Sequence, residues 1–292
     1  MQVKKFVQLQ YMCSIIILVS TAKKRTGKCK DKRFYKVPII SDLHSQFLDE
    51  RAFSIFLQIY KDNDFDQLII NGDLCDFPTI SNFANRIETF NPNIPREYSL
   101  DEELDFVENE ILKPLHKIKP KIPILIRLGN HEKRFMRPIK GSSGAVSEIL
   151  ETSRRRGVTR LEDLLHLDRY NAKLSYKIVD IIKNRFAITH GTWLSKNRCE
   201  KYIHEYLMSG TSGHSHQDLN FSKTTYFGQI QWVESMCLRT IRDIEYMDEG
   251  YIPNWSQGFV DVWFEKGKRE PHIRQHKFDD YKCYYKNKRY SA

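Results

Sequence analysis

Four things are missing from this 292-residue chain: a Cys-x-x-Cys pair, an apolar run long enough to cross a bilayer, an internal repeat and a low-complexity tract. The six cysteines (Cys13, Cys29, Cys75, Cys199, Cys237, Cys283) stand singly. They read as reduced thiols of a cytoplasmic protein, not as a disulfide framework or a structural zinc site. The N-terminal apolar patch, Met12 to Val19, falls well short of the roughly 20 residues a membrane helix needs. No membrane association is expected. Lys4 and Lys5 ahead of the patch and Ser20-Thr21-Ala22 behind it trace a faint secretory leader. Gln8, Gln10 and the basic stretch from Lys23 to Arg33 favour instead an N-terminal extension over residues 1–34.

What is present is enough apolar sequence for a real core: 40% of residues are hydrophobic and 29% charged. The length suits one large α/β domain with modest additions. The net charge is +10, which fits a polyanionic partner or a phosphorylated substrate, or no more than solubility.

Short apolar runs punctuate the first half. Val37-Pro38-Ile39-Ile40 and Gln67-Leu68-Ile69-Ile70 read as buried strands, and Arg51 to Tyr60 between them as a helix with one apolar face. Such a β-α-β unit places its strands parallel with a right-handed crossover. Ser99 and Glu102 form a capping box before a helix whose face is Leu100, Leu104, Val107, Ile111, Leu115 and Ile118. Ile122 to Leu128 is a third strand. Residues 133–173 are basic and helical in pattern, with Arg154-Arg155-Arg156 and a short helix Leu161 to Leu167, and suggest a cap. Leu174 to Asp180 and Arg185 to Thr189 read as paired strands, Asn197 to Met208 as a helix, and Thr224 to Val233, Phe259 to Phe264 and His272 to Phe278 as strands. The Lys- and Tyr-rich end, residues 281–292, reads as a basic tail that frays or touches nucleic acid.

The chemistry lies at the ends of these runs: Asp42-Leu43-His44, Gly72-Asp73-Leu74-Cys75-Asp76, Gly129-Asn130-His131-Glu132, His190-Gly191 and Gly213-His214-Ser215-His216. Strands would bring all five to one edge of a sheet, where open α/β sheets place ligands. Together they offer enough oxygen and imidazole ligands for two divalent metal ions, a device for displacement at phosphorus.

In this order the five segments resemble the signature of the calcineurin-like metallophosphoesterase superfamily. The resemblance implies an α/β fold: a β-sandwich of mixed sheets flanked by helices, here over about residues 35–280. It implies that Asp42, His44, Asp73 and His216 hold one metal and that Asp73, Asn130, His190 and His214 hold the other, with Asp73 bridging. Manganese, or iron with zinc, suits this mix of carboxylate, amide and imidazole. By the same resemblance, a water between the metals is acidified for in-line attack. His131 protonates the leaving oxygen and Asp76 hydrogen-bonds it to fix its tautomer. Glu132 is expected to hold a backbone or ligand loop. Arg134 and Arg137 are placed to reach a substrate phosphate, or to start a solvated helix.

His44 is followed by Ser45 and Asp76 by Phe77-Pro78, where protein Ser/Thr phosphatases of the superfamily carry Asp-x-His-Gly and Asp-Arg-Gly. A protein phosphatase is therefore disfavoured. Gly-Asp-Leu-Cys-Asp-Phe and Gly-Asn-His-Glu-Lys-Arg are more similar to nuclease, nucleotidase and pyrophosphohydrolase branches, and to stand-alone phosphoesterases carried by phages and prophages, which would act in the host cytoplasm. The expected activity is hydrolysis of phosphodiester bonds in nucleic acid or nucleotides. The alternatives are a phosphomonoesterase of a small metabolite and a non-enzymatic nucleic-acid-binding protein. The tryptophans, Trp193 among them, are expected to pack in core or cap.

Overall fold

The computed structural model describes residues 33–78, 99–136, 148–149, 152–153, 155–157, 160–242 and 253–292. These lie in one compact unit, Arg33–Ala292. The expected N-terminal extension lies outside the described residues but for its last two positions. So do Arg137, Arg154 and much of the expected cap.

Two sheets organise the unit. The first holds β1 (Phe34–Ile40), β2 (Leu68–Ile70), β3 (Ile124–Arg127), β4 (Ala172–Ser175), β10 (Gly258–Glu265) and β11 (His272–Lys277), in the order β11-β10-β1-β2-β3-β4. Strands β1 to β4 run parallel, and β10 and β11 complete the sheet antiparallel. The second holds β5 (Asp180–Ile182), β6 (Phe186–Ile188), β7 (Ser209–Ser212), β8 (Asn220–Thr225) and β9 (Gly228–Glu234), in the order β5-β6-β7-β9-β8.

The two-residue period of the strands sorts their side chains into layers. Val37, Ile39, Ile69, Val260 and Val262 of the first sheet meet Phe186, Ile188 and Val233 of the second in one buried cluster. Their neighbours Ile40, Leu68, Ile70 and Ile126 point the other way, onto α1 (Glu50–Asp62), α2 (Leu100–Phe106) and α3 (Lys113–Ile118). Ala187 and Trp232 of the second sheet likewise turn outward to Cys199, Tyr202 and Ile203 of α6 (Arg198–Tyr206), which follows the short helices α4 (Glu132–Met136) and α5 (Leu161–Leu164) in the chain. The result is a sandwich with helices on both outer faces. Each fully buried Ile, Leu or Phe contributes about 1.5–3 kcal/mol, so a one-residue slip in β1 would exchange two apolar faces for unsuitable ones.

Local signals explain the helices. Asp49 caps α1 by accepting from Arg51 N and Ala52 N. Ser99 and Glu102 form the expected capping box on α2. The expected single helix is interrupted by a π-helical stretch, Val107–Leu112, just ahead of Pro114. Proline lacks the N–H an α-turn needs and its ring crowds the preceding carbonyl, so a widened turn here relieves both.

Three expectations are corrected. Leu174 to Asp180 is not one strand: Ala172–Ser175 extends the first sheet beside β3, and Asp180–Ile182 pairs with β6 in the second. Thr224 to Val233 is a hairpin, β8 to β9, turning at Tyr226 and Phe227. The chain's end is also no frayed tail. Strands β12 (Lys282–Tyr285) and β13 (Lys288–Ser291) pair through Lys286 and Asn287, both left-handed, as two-residue hairpin turns require. Cys283, Tyr285 and Tyr290 enter the helix-side core, and the Tyr285 hydroxyl donates to Asp261 at 2.7 Å. The lysines that suggested fraying sit between these anchors. The four described cysteines, Cys75, Cys199, Cys237 and Cys283, are buried free thiols. No helix among the described residues is long and apolar enough to cross a membrane.

Candidate metal centre

The five motifs converge, but from two sheets, not from one edge of a single sheet. Loops after β1, β2 and β3 deliver Asp42 and His44, Asp73 and Asp76, and Asn130 and His131. Loops after β6 and β7 deliver His190, and His214 and His216. Backbone bonds carry strand pairing into the loops: Asp42 N donates to Gly72 O (3.1 Å), His44 N to Asp73 O (2.9 Å), and Gly213 N to His190 O (2.8 Å). Asp42, His44, Asp73, His214 and His216 all hold positive φ. Five non-glycine residues in the left-handed region cost free energy that the surrounding packing must hold in place, a pattern typical of functional sites. Gly129 has no such torsion but no room either: a Cβ there would lie 2.0 Å from Asp73 Oδ1.

Three sets of ligand-type atoms result among the described residues, each mutually within 4.8 Å: Asp42, His44 and His216; Asp73, His190 and His214; and His44, Asp76 and His131. His216 Nε2 lies 3.2 Å from both Asp42 Oδ1 and His44 Nε2. His190 Nε2 lies 3.1 Å from Asp73 Oδ2 and 3.1 Å from Asn130 Oδ1. Asp42 Oδ1 stands 4.0 Å from His190 Nε2 and links the first two sets. All seven residues expected as ligands are therefore together. Tautomers are also set. His190 Nδ1 donates to Asn71 O (2.8 Å) and His44 Nδ1 to Asp76 Oδ1 (3.0 Å), which turns both Nε2 atoms toward the centre.

The electrostatics match a cation. Burial alone would strip charge from His190, yet Asp73 and Asp42 raise it to about 10. The same charge pairing outweighs burial at Asp73, held well below the usual carboxylate range by His190 and His131. A buried imidazole that keeps its proton this firmly marks a strongly negative spot, which a divalent ion would occupy in the proton's place. Two carboxylates, one amide oxygen and four imidazoles are a donor set for first-row transition metals.

His131 sits beside this centre. Its Nδ1 pairs with Asp76 Oδ1, and its Nε2 is 3.8 Å from Asp73 Oδ2. Burial opposes charge there, but Asp73 and Asp76 raise the imidazole above its ordinary value. Asp76 serves both His131 and His44, where only the first partner was expected. Arg134 Nη1 donates to Asp76 O (2.9 Å), with Nη2 3.3 Å from His131 Nε2.

Glu132 holds the loops. Its carboxylate accepts from Asp73 N, Leu74 N, Cys75 N and Gly129 N at 2.6–3.1 Å. Glu132→Ala would orphan four buried donors. At about 1–3 kcal/mol for each, partly relieved by entering water, unfolding free energy should fall by roughly 3–5 kcal/mol. Urea denaturation checks this, and a loss below about 1 kcal/mol would refute the buttress. Glu103 does the same for the second motif and was missed from sequence: it accepts from Asp76 N (2.5 Å), Phe77 N (3.0 Å) and Ser45 Oγ (2.5 Å). The available signal was a glutamate three residues after Leu100, on the helix's apolar stripe.

The sequence model for calcineurin-like phosphoesterases matches residues 35–290. The chain belongs to the calcineurin-like phosphoesterase family. No curated protein sequence matches it. Among solved structures, this phosphoesterase-family chain is similar to Vps29 from Cryptosporidium parvum, with a TM-score of 0.44 and 13% identity over 89% of this chain and 97% of that chain. Vps29 from Entamoeba histolytica complexed with Zn²⁺ gives 0.39 and 12%, over 88% and 98%. A conserved protein of Streptococcus pneumoniae, described as a predicted phosphoesterase, gives 0.34 and 12%, over 83% and 90%. The family assignment rests on the sequence match and not on these distant structures.

Proposed function

We propose that the protein is a dimetal phosphoesterase that hydrolyses phosphodiester bonds of nucleotides or nucleic acid. The observation that carries this reading is the convergence of the ligand sets, with His131 tied to Asp76 at their edge. Bound divalent metals would supply an acidified water and positive charge at phosphorus. Asp42, His44 and His216 would hold one, and Asp73, Asn130, His190 and His214 the other; Asp73 would serve both. Manganese, or iron with zinc, is the proposed complement.

The chain's own groups do the rest. Asp76 keeps the Nδ1 proton of His131 engaged, so Nε2 is the atom that faces a leaving oxygen and can deliver a proton to it. Arg134, beside that nitrogen, is placed to meet a phosphate oxygen. The test compares bis-p-nitrophenyl phosphate with p-nitrophenyl phosphate, each with added manganese. Faster diester turnover is expected. Monoester turnover faster by a wide margin would make the protein a phosphomonoesterase, and no turnover of either would overturn the enzymatic reading.

Asp76→Asn gives a second check. Because Asp76 orients a proposed ligand as well as the proposed acid, the variant should lose roughly 10–100-fold in metal affinity, the usual cost of removing a carboxylate behind a ligating histidine. It should also turn over more slowly at saturating metal. Full activity restored by metal alone would confine Asp76 to His44.

A further inference from the structure

We propose that a groove beside the metal centre seats a nucleobase, so that the ester hydrolysed there carries a nucleoside. This rests on the phosphoesterase reading above and names the substrate class for that same site. The groove, of about 530 Å³, lies between the loop after His190 and the outer face of α6, and is lined by Trp193, Asn197, Glu200, Lys201 and His204.

Its position follows from the chain. Trp193 is three residues beyond His190, at most about 10 Å along the backbone. The first turn of α6 is tied to the other ligand loop, since Arg198 Nη2 donates to Ser215 Oγ (3.1 Å) and Gln217 Oε1 (2.7 Å). The groove is thus tied to the loop that carries His190 and, through Arg198, to the loop that carries His214 and His216, and none of the three lines it.

Trp193 packs, as expected, against the cluster of Cys199, Tyr202, Ile203 and Trp232, but stays half-buried, with part of its ring exposed as a shelf. Its ring packs on Tyr202 with centroids 4.6 Å apart at 31°. The Tyr202 hydroxyl accepts from Thr192 N (2.9 Å) and Trp193 N (3.5 Å), which holds the loop on the helix. By contrast Trp232 is fully buried on the sheet side of the same stack. An indole already immobilised loses little entropy when a base stacks on it.

The helix face adds polar groups. Asn197, Glu200, Lys201 and His204 fall at i, i+3, i+4 and i+7, on one side of α6. They present an amide, a carboxylate, an ammonium and an imidazole, donors and acceptors for the edge of a base; a base would displace exposed Lys201, which donates to Ser195 Oγ (3.0 Å) and lies 5.8 Å from the Trp193 ring centroid, and would meet Glu200 and His204 as a pair 3.8 Å apart. Glu200 decides between ligands. A second phosphate would meet its carboxylate repulsively, whereas a neutral ring with amino groups would not.

The test uses the full chain with manganese and two diesters that share a leaving group, adenosine 5′-p-nitrophenyl phosphate and methyl p-nitrophenyl phosphate. For Trp193→Ala, the ratio of kcat/KM for the nucleoside ester to that for the methyl ester should fall roughly 10–100-fold, the value of one stacked base. Trp193→Phe should recover most of it. An equal loss on both esters would make Trp193 a mere support for the His190 loop and overturn the proposal. Binding is read separately by calorimetry: AMP should bind at least about tenfold tighter than ribose 5-phosphate, and lose that advantage in Trp193→Ala. Equal affinities would overturn the base site even if the enzyme is active. If neither diester is turned over but AMP is preferred through Trp193, the phosphoesterase reading fails and the base site stands.

Discussion

Asp73→Asn should leave the protein folded but unable to hold two divalent ions, with turnover at background. Asp73 is fully buried. One oxygen accepts from His131 N at 3.0 Å, and the other faces His190 Nε2 at 3.1 Å. An asparagine keeps the shape and the backbone bond but removes the charge, and turns a donor amide toward the imidazole or the metal space. Because this carboxylate is proposed to serve both ions, its loss should weaken both, unlike the loss of a ligand to one. Metal analysis after dialysis should show fewer than two ions per chain, and the His190 imidazole should lose its main reason to hold a proton. Two ions bound at wild-type affinity would refute the bridging role.

His131→Asn is the complementary experiment. It should leave two metals in place and cut turnover by roughly 10²–10⁴, the usual contribution of a positioned acid. The loss should depend on what leaves. Nitrophenolate departs without a proton and should show the small end of the range. A ribose alkoxide needs one and should show the large end. The reason is geometric: Nδ1 is tied to Asp76 while Nε2 lies at the centre's edge, 3.8 Å from Asp73 Oδ2. An equal loss across leaving groups would show that His131 does not act as the acid. A lost metal would show that it, with His44 and Asp76, forms the third possible ligand group in the structure.

Much of the site was legible because its residues are local to strand ends. Once Val37 to Ile40, Gln67 to Ile70 and Ile122 to Leu128 read as strands, Asp42, Asp73 and Asn130 fell at one rim without any tertiary information. Glu132 could be read as a loop holder, since a carboxylate inside a ligand motif needs donors close by. Glu103 could not, because its partners Ser45, Asp76 and Phe77 lie 26 to 58 residues away and a charged residue on an apolar stripe does not say which loop will meet it. The paired arginines misled in the same way. Arg155 and Arg156 read as part of a basic cap, yet both bridge to Asp101, and Arg156 also to Asp105, on α2.

The sequence by itself determined the order of the motifs, the parallel start of the first sheet, the capped helix and the family. All of these depend on side-chain period and spacing, which are properties of a short stretch of chain. Tertiary structure alone decided that His190, His214 and His216 arrive from a second sheet, that Asp76 serves two histidines, and that the Lys-rich end folds onto the core. It also left Trp193 half-buried against Tyr202 while Trp232, packed on the same ring, was fully buried. These outcomes depend on which apolar faces meet, and two tryptophans with like local sequence signals are separated only by the packing of a sheet against a helix.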